Sequence, residues 1–256
     1  MRSLAKLPIV RPLPIKRALA LAAVLAISLP PAPAGAAAQD PFPPKAGRLA
    51  VTSCPEPAIS SGGIPRTREY LQTVVTCLDT SWRAYFRQAG RTFGKPVVRY
   101  YEEPADRVCG GDWPAQAAAF YCVERRTLVF PLTGPWIENR TDLYPLKVAA
   151  HEYGHHVQRL MGVGLPKARE SAARRRYELQ ADCLAGAFLG SVWGSLGRTG
   201  QDWAALVEAT RASGDDFDGV RSHGKGAGRA RWLERGHRAG SPAACDTWSA
   251  PAGRVA

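Results

Sequence analysis

Two pairs of residues, each four positions apart, constrain this chain more than any other feature. In "HEYGHHVQ" the pair is His151 and His155, and in "YELQADC" it is Glu178 and Asp182. On a helix, residues at i and i+4 project from one face, a turn apart. The spacing predicts two helices, each carrying a polar pair on one side, and asks what those pairs face.

Two imidazoles one turn apart suit a single zinc ion, which each reaches at about 2.0 to 2.1 Å. Glu152, one residue on from His151, is rotated to the side of the pair, where its carboxylate can take a proton from a water held by the metal. That is the mechanical content of H-E-x-x-H. Three of the chain's five histidines fall in this stretch; His156 points away from the pair and reads as a packing or hydrogen-bonding residue. Glu178 can supply the third ligand of a His2Glu site that keeps a position for water. Asp182 can accept the free N–H of a ligand histidine and fix its tautomer. If the first helix ends near Met161 and the second begins near Ala168, the loop between them is of ordinary length for an antiparallel pair. His155 then lies roughly 9 Å before the bend and Glu178 roughly 15 Å after it at 1.5 Å per residue, depths compatible with a shared site.

The first forty residues set the compartment. Arg2, Lys6, Arg11, Lys16 and Arg17 precede the apolar run "ALALAAVLAISL", and Ala36 and Ala38 form an A-x-A pattern. This is the layout of a secretory signal peptide over residues 1–38. The apolar run is short of the roughly 20 residues a membrane span needs, so no stable span is expected once the leader is removed. Removal would leave about 218 of the 256 residues, enough for one domain with a real core. It takes five basic residues and no acid, lowering the formal charge from +12 to +7. Such a surplus favours anionic surfaces in general. No basic tract is interleaved with aromatics, so nucleic acid is not an expected partner.

Six cysteines, Cys54, Cys77, Cys109, Cys122, Cys183 and Cys245, are an even set in an exported chain and imply up to three disulfides. The sequence leaves their pairing open among 15 possibilities. Residues 39–65, with "PFPPK", "CPEPA" and "SSGGIP", read as an arm or linker. Apolar residues from Tyr70 to Phe86 recur at three- and four-residue spacing and predict a helix over 67–88. "KPVVRYYE" reads as a strand at 95–102, and "AFYCVERRTLVFPL" as two short strands about a turn near Glu124 and Arg125. Helices follow at 145–161, with Pro145 in the first turn, at 168–196 with Gly197 just beyond, and near 201–212 and 226–237. "GDDFDG" at 214–219 lacks the downstream Glu of a calcium loop and reads as a turn and helix cap. The expected fold is one α+β domain over 66–256, mainly helical with a small sheet.

"HEYGHHVQ", "YELQADCLAG", the upstream "VCGG" and "AFYC", and the downstream "SHGKGAGRARWLERG" and "ACDTW" together resemble the bacterial neutral zinc metallopeptidases, a group related in motif to the gluzincins. The resemblance spans roughly residues 65 to 248. It implies a zincin-like fold with an active-site helix pair, one Zn2+ per chain on His151, His155 and Glu178, and Glu152 as general base, matching the assignment made from spacing. His223 in "RSHGKG" stands where gluzincins place a histidine that donates to the oxyanion; a lone loop histidine is also commonly structural. Tyr153 and Tyr177 read as packed aromatics. Cys109 is expected to pair with Cys122 rather than to serve as a metal thiolate. Adjacency to Asp182 and the resemblance suggest that Cys183 pairs with Cys245.

The function expected is therefore an exported metallopeptidase acting on peptide or protein outside the cytoplasm or at the cell envelope, with a strand near 126–132 holding substrate by edge pairing. Two alternatives keep the same core: a noncatalytic binding or scaffold protein at the envelope, and a zinc amidase acting on cell-wall peptides. Substrate preference and oligomeric state are not legible at this level.

Overall fold

A computed structural model of the chain describes residues 41–59, 62–114, 117–169, 171–216 and 222–256. The predicted leader lies outside the described residues. No helix among the described residues is long and apolar enough to cross a membrane.

The apolar stripe expected around residues 70–86 forms helix α1 (Gly63–Gln88), and Tyr70, Leu71, Val74, Leu78, Trp82, Tyr85 and Phe86 are all buried. The helix starts four residues earlier than the apolar pattern implies, because Gly62 turns the chain in left-handed backbone and Pro65 suits the first turn. The irregular stretch before it lies against the helices. Phe42, Leu49 and Ile59 are buried, the Leu49 N–H donates to the Gly240 carbonyl at 2.8 Å, and Cys54 is bonded to Cys77 of α1.

Three short strands follow: β1 (Val97–Tyr101), β2 (Phe120–Cys122) and β3 (Thr127–Pro131). Their order is β1-β3-β2, with β1 parallel to β3 and β2 antiparallel to it, Phe120 opposite Val129. This corrects the expectation that a strand near 126–132 offers a free edge. β3 is the central strand, paired on both sides, and all five of its residues are buried. Its unbroken apolar run is the pattern of a covered strand, which an edge would not need. The second disulfide, Cys109–Cys122, ties the loop after β1 to β2.

The second half is helical: α2 (Tyr144–Leu160), α3 (Ala172–Val192), α4 (Gly200–Ala212) and α5 (Gly226–Ala239). α3 is shorter than the predicted 168–196. The Ser171 side chain accepts from the Arg174 N–H and starts it, and its C-terminal end tightens into a 3-10 turn at Trp193–Ser195. α2 and α3 pack closely enough that a Cβ on Gly154 would sit 3.2 Å from the Ala181 carbonyl oxygen. α3 and α5 are closer still. A Cβ on Gly186 would overlap the Leu233 carbonyl, and one on Gly236 would overlap that of Cys183. The third disulfide, Cys183–Cys245, then fixes the tail after α5 to α3. Arg176 donates to the carbonyls of Thr247, Trp248 and Ala250 along that tail. Three disulfides are the chemistry of an oxidising, extracytoplasmic compartment.

The glycine contact makes one testable demand. Gly236→Ala forces a methyl into backbone and is expected to lower stability by about 1 to 3 kcal/mol or more. Gly194→Ala, with open space around its Cβ, should be near neutral. Urea unfolding of both variants measures the difference; equal midpoints would contradict the close approach.

Candidate metal centre

The two polar pairs of the sequence meet between α2 and α3. His151 Nε2 lies 3.3 Å and His155 Nε2 3.2 Å from the same oxygen, Oε2 of Glu178. The three donor atoms all fall within 4.8 Å of one another, and all three residues are buried. Around a tetrahedral ion with ligands near 2.05 Å, neighbouring donors stand about 3.3 Å apart. Two of the three separations match that edge, and a set of two nitrogens and one oxygen is the kind zinc takes.

Hydrogen bonds at the far ring nitrogens turn Nε2 of both histidines into this gap. Asp182 is fully buried and ionised, so it can only accept, and His151 Nδ1 at 2.8 Å must carry the proton. His155 Nδ1 meets Gln158 Oε1 at 2.9 Å. The amide orientation of Gln158 is settled by its other end, where Nε2 donates to the Tyr177 carbonyl at 2.8 Å and to Gln180 Oε1 at 3.0 Å. His155 therefore also donates through Nδ1. Both rings thus present Nε2 to Glu178 Oε2: burial lowers the His155 pKa, but the Glu178 charge and hydrogen bond raise it, and a metal bound here would displace the Nε2 protons.

The carboxylates are held as firmly. Burial by itself would raise the Glu178 pKa, but the His155 charge and hydrogen bonds from both histidines hold it well below the usual carboxylate range. Arg174 Nε takes its other oxygen, Oε1, at 2.7 Å, which leaves Oε2 for the gap. Burial would likewise raise Asp182, yet Arg229, Lys147 and His151 keep it well below its ordinary value. Lys147 Nζ lies 2.6 Å from Oδ1, and Arg229 reaches both oxygens, through Nε at 2.8 Å and Nη2 at 3.2 Å. Lys147 is itself fully enclosed, and that burial lowers its pKa against the pull of Asp182.

Glu152 is half-buried beside this cluster, its carboxylate without a hydrogen-bond partner among the described residues. Its charge is felt by His155, Lys147 and Tyr177. His156 takes no part. Its Nε2–H donates to the Gly94 carbonyl at 2.6 Å, and Nδ1 accepts from the Tyr121 hydroxyl at 2.9 Å. Burial lowers its pKa, consistent with a neutral ring. Tyr153 donates to Asp79, and Tyr177 stacks on the His155 ring at 4.7 Å between centroids. His223 is outside the three-residue cluster. Its backbone N–H donates to Asp215 Oδ2 at 2.6 Å, and its half-exposed ring, with Nδ1 3.1 Å from Ser222 Oγ, adds to the charge that lowers the Glu178 pKa. Asp215 and Asp216 bind the N–H groups of Gly224 and Gly226 at the start of α5; Asp218 lies outside the described residues. All six cysteines are in disulfides, so Cys109 is no metal thiolate.

Lys147, Gln158, Arg174 and Arg229 escaped the sequence reading. For Lys147, Gln158 and Arg174 a signal exists: each lies three or four residues from a predicted ligand, on the same helical face. Arg229, on a separate helix, had no such spacing signal.

The fold and cluster together define a mixed α/β protein with a buried His-His-Glu group that can hold a metal ion. Comparison with known proteins places the chain more narrowly. It belongs to the family described as "putative neutral zinc metallopeptidase", whose model matches residues 64–248. It is 28% identical over 212 residues to the uncharacterized protein YpfJ of Escherichia coli K12, covering 70% of this chain and 71% of that protein. It is 29% identical over 226 residues to the uncharacterized protein Rv2575 of Mycobacterium tuberculosis H37Rv, covering 71% and 72%. No solved structure matches.

Proposed function

We propose that the chain is an exported zinc-dependent metallopeptidase of zincin-like fold, with α2 and α3 as its active-site helix pair. The observation that carries this reading is the convergence of His151 Nε2 and His155 Nε2 on Glu178 Oε2, each at a tetrahedral edge length from it, with the far nitrogen of both histidines held by partners outside the gap. These three atoms would hold Zn2+. When bound, zinc supplies a Lewis acid for a peptide carbonyl and makes water acidic enough to attack near neutral pH. Glu152 takes the proton from the attacking water and returns it to the leaving amine. His223, steadied by Asp215, donates to the oxygen that gains negative charge. The leader and the three disulfides support export to the cell envelope or beyond.

The test is metal removal from the disulfide-bonded chain, with an unstructured protein as substrate. About one zinc per chain is expected by elemental analysis, with hydrolysis abolished by a chelator and restored by zinc. Undiminished hydrolysis by the zinc-free protein would overturn the proposal.

A further inference from the structure

A cavity of about 700 Å³ lies between the turn after β2, the C-terminal end of α2 and the α2–α3 loop, within the size range of ligand sites. Arg159, Lys167, Arg169 and Arg174 line it against one carboxylate among the described residues, Glu124. Arg159, Lys167 and Arg169 are exposed, and Leu165 adds an apolar wall, its residue 41% accessible. Arg174 joins this cavity to the metal cluster. The same guanidinium that lines it donates to Glu178 Oε1 at 2.7 Å and lies over the Tyr177 ring, which stacks on His155. The cavity thus begins one side chain from the metal ligands, a distance that one or two residues of extended peptide cover.

We propose that this cavity is a substrate subsite for carboxylate-bearing peptide, placing an Asp or Glu side chain or a terminal carboxylate within a few residues of the cleaved bond. It rests on the metallopeptidase reading and names its substrate class. Arginine favours this chemistry, since its planar fork matches a carboxylate in two parallel hydrogen bonds. The adjoining apolar wall suits a peptide, whose neighbouring side chains need cover, better than a uniformly charged polymer. Neither Arg159, Lys167 nor Arg169 forms an ion pair among the described residues, so an incoming carboxylate displaces none there.

The experiment measures binding by fluorescence polarisation to the zinc-loaded Glu152→Gln chain, which retains the cavity. The probes are rhodamine-labelled short peptides with leucine and glutamate and a blocked C-terminus, twins with glutamine in place of glutamate, and the glutamine twin with a free terminal carboxylate. Each exposed ion pair contributes a factor of about two to five, so the glutamate peptide is expected to bind about tenfold more tightly than its blocked glutamine twin at low salt. The preference should fade as salt rises. Which of the two carboxylate sources is used follows from comparing the glutamate peptide with the free-terminus twin. Arg159→Gln/Lys167→Gln/Arg169→Gln should bring the ratio towards one, whereas Arg91→Gln/Arg231→Gln/Arg254→Gln, with the same loss of charge at other exposed sites, should keep it. Equal binding of carboxylate and blocked glutamine peptides, or equal loss in both triple variants, would overturn the subsite. So would tighter binding of inorganic polyphosphate than of the glutamate peptide, which would make the cavity a phosphate-polymer site. Zinc content and cleavage of the same peptides by the unsubstituted chain are read separately: their failure removes the peptidase reading, while the binding ratio still decides the subsite.

Discussion

Asp182→Asn is expected to cost about 3 to 5 kcal/mol of stability and to weaken zinc binding by about 10- to 100-fold. The two losses have different causes. The stability loss comes from Lys147 and Arg229, both buried, whose shared counter-charge is Asp182. Removing that charge strands two cations inside the protein, a larger penalty than a missing hydrogen bond. The affinity loss comes from His151, because Nδ1–H then donates only to a neutral amide or the ring rotates away, and Nε2 is held less firmly toward the gap beside Glu178. Urea unfolding and zinc competition with a chromogenic chelator read the two separately. Adding Lys147→Met removes one stranded cation and restores the original net charge of the cluster, so it should recover much of the stability and little of the zinc affinity. An Asp182→Asn protein with unchanged urea midpoint and zinc affinity would show that the buried network does not hold the ligand.

That network marks the boundary of what could be read from sequence. The helices were legible to within a few residues because each has its own periodicity and punctuation: Pro145 opens α2, Gly197 lies beyond the 3-10 turn after α3, and the apolar stripe of α1 repeats without interruption. The His-His-Glu convergence was legible because i,i+4 spacing is a local geometric rule and a short loop leaves two helices little choice of partner. β3 was misplaced at an edge because strand order depends on which segment returns beside it, and a parallel partner 30 positions earlier leaves no local trace. Arg229 was invisible for the same reason. It reaches Asp182 only because α5 lies almost backbone to backbone on α3, which in turn depends on Gly186 and Gly236 facing each other's helices. Glycines inside helical patterns were the available signal, since they weaken a helix unless close packing requires them. The basic cavity was hidden because three separate segments line it: the turn after β2, the end of α2 and the start of α3 with its preceding loop, and the sequence does not show that they meet.

Glu152→Gln separates chemistry from metal binding, and turnover is expected to fall by about 10²- to 10⁴-fold while zinc remains near one per chain. The substitution is close to isosteric, and Glu152 is absent from the three-residue metal cluster, so neither the fold nor the ligand set has reason to change. What is lost is a base beside the gap. An amide oxygen can still orient a water but cannot take its proton, so the defect should appear in kcat more than in KM. Excess zinc distinguishes this variant from Asp182→Asn. Saturating metal should restore much of the activity of Asp182→Asn, whose defect is partly affinity, and none of the activity of Glu152→Gln. Glu152→Asp, with the same base one methylene short, should fall between glutamine and the native residue, because proton transfer requires hydrogen-bond reach. A glutamine variant that turns over unstructured protein within a few-fold of the native chain would remove Glu152 from the reaction, leaving the His-His-Glu cluster as a metal site whose base lies elsewhere.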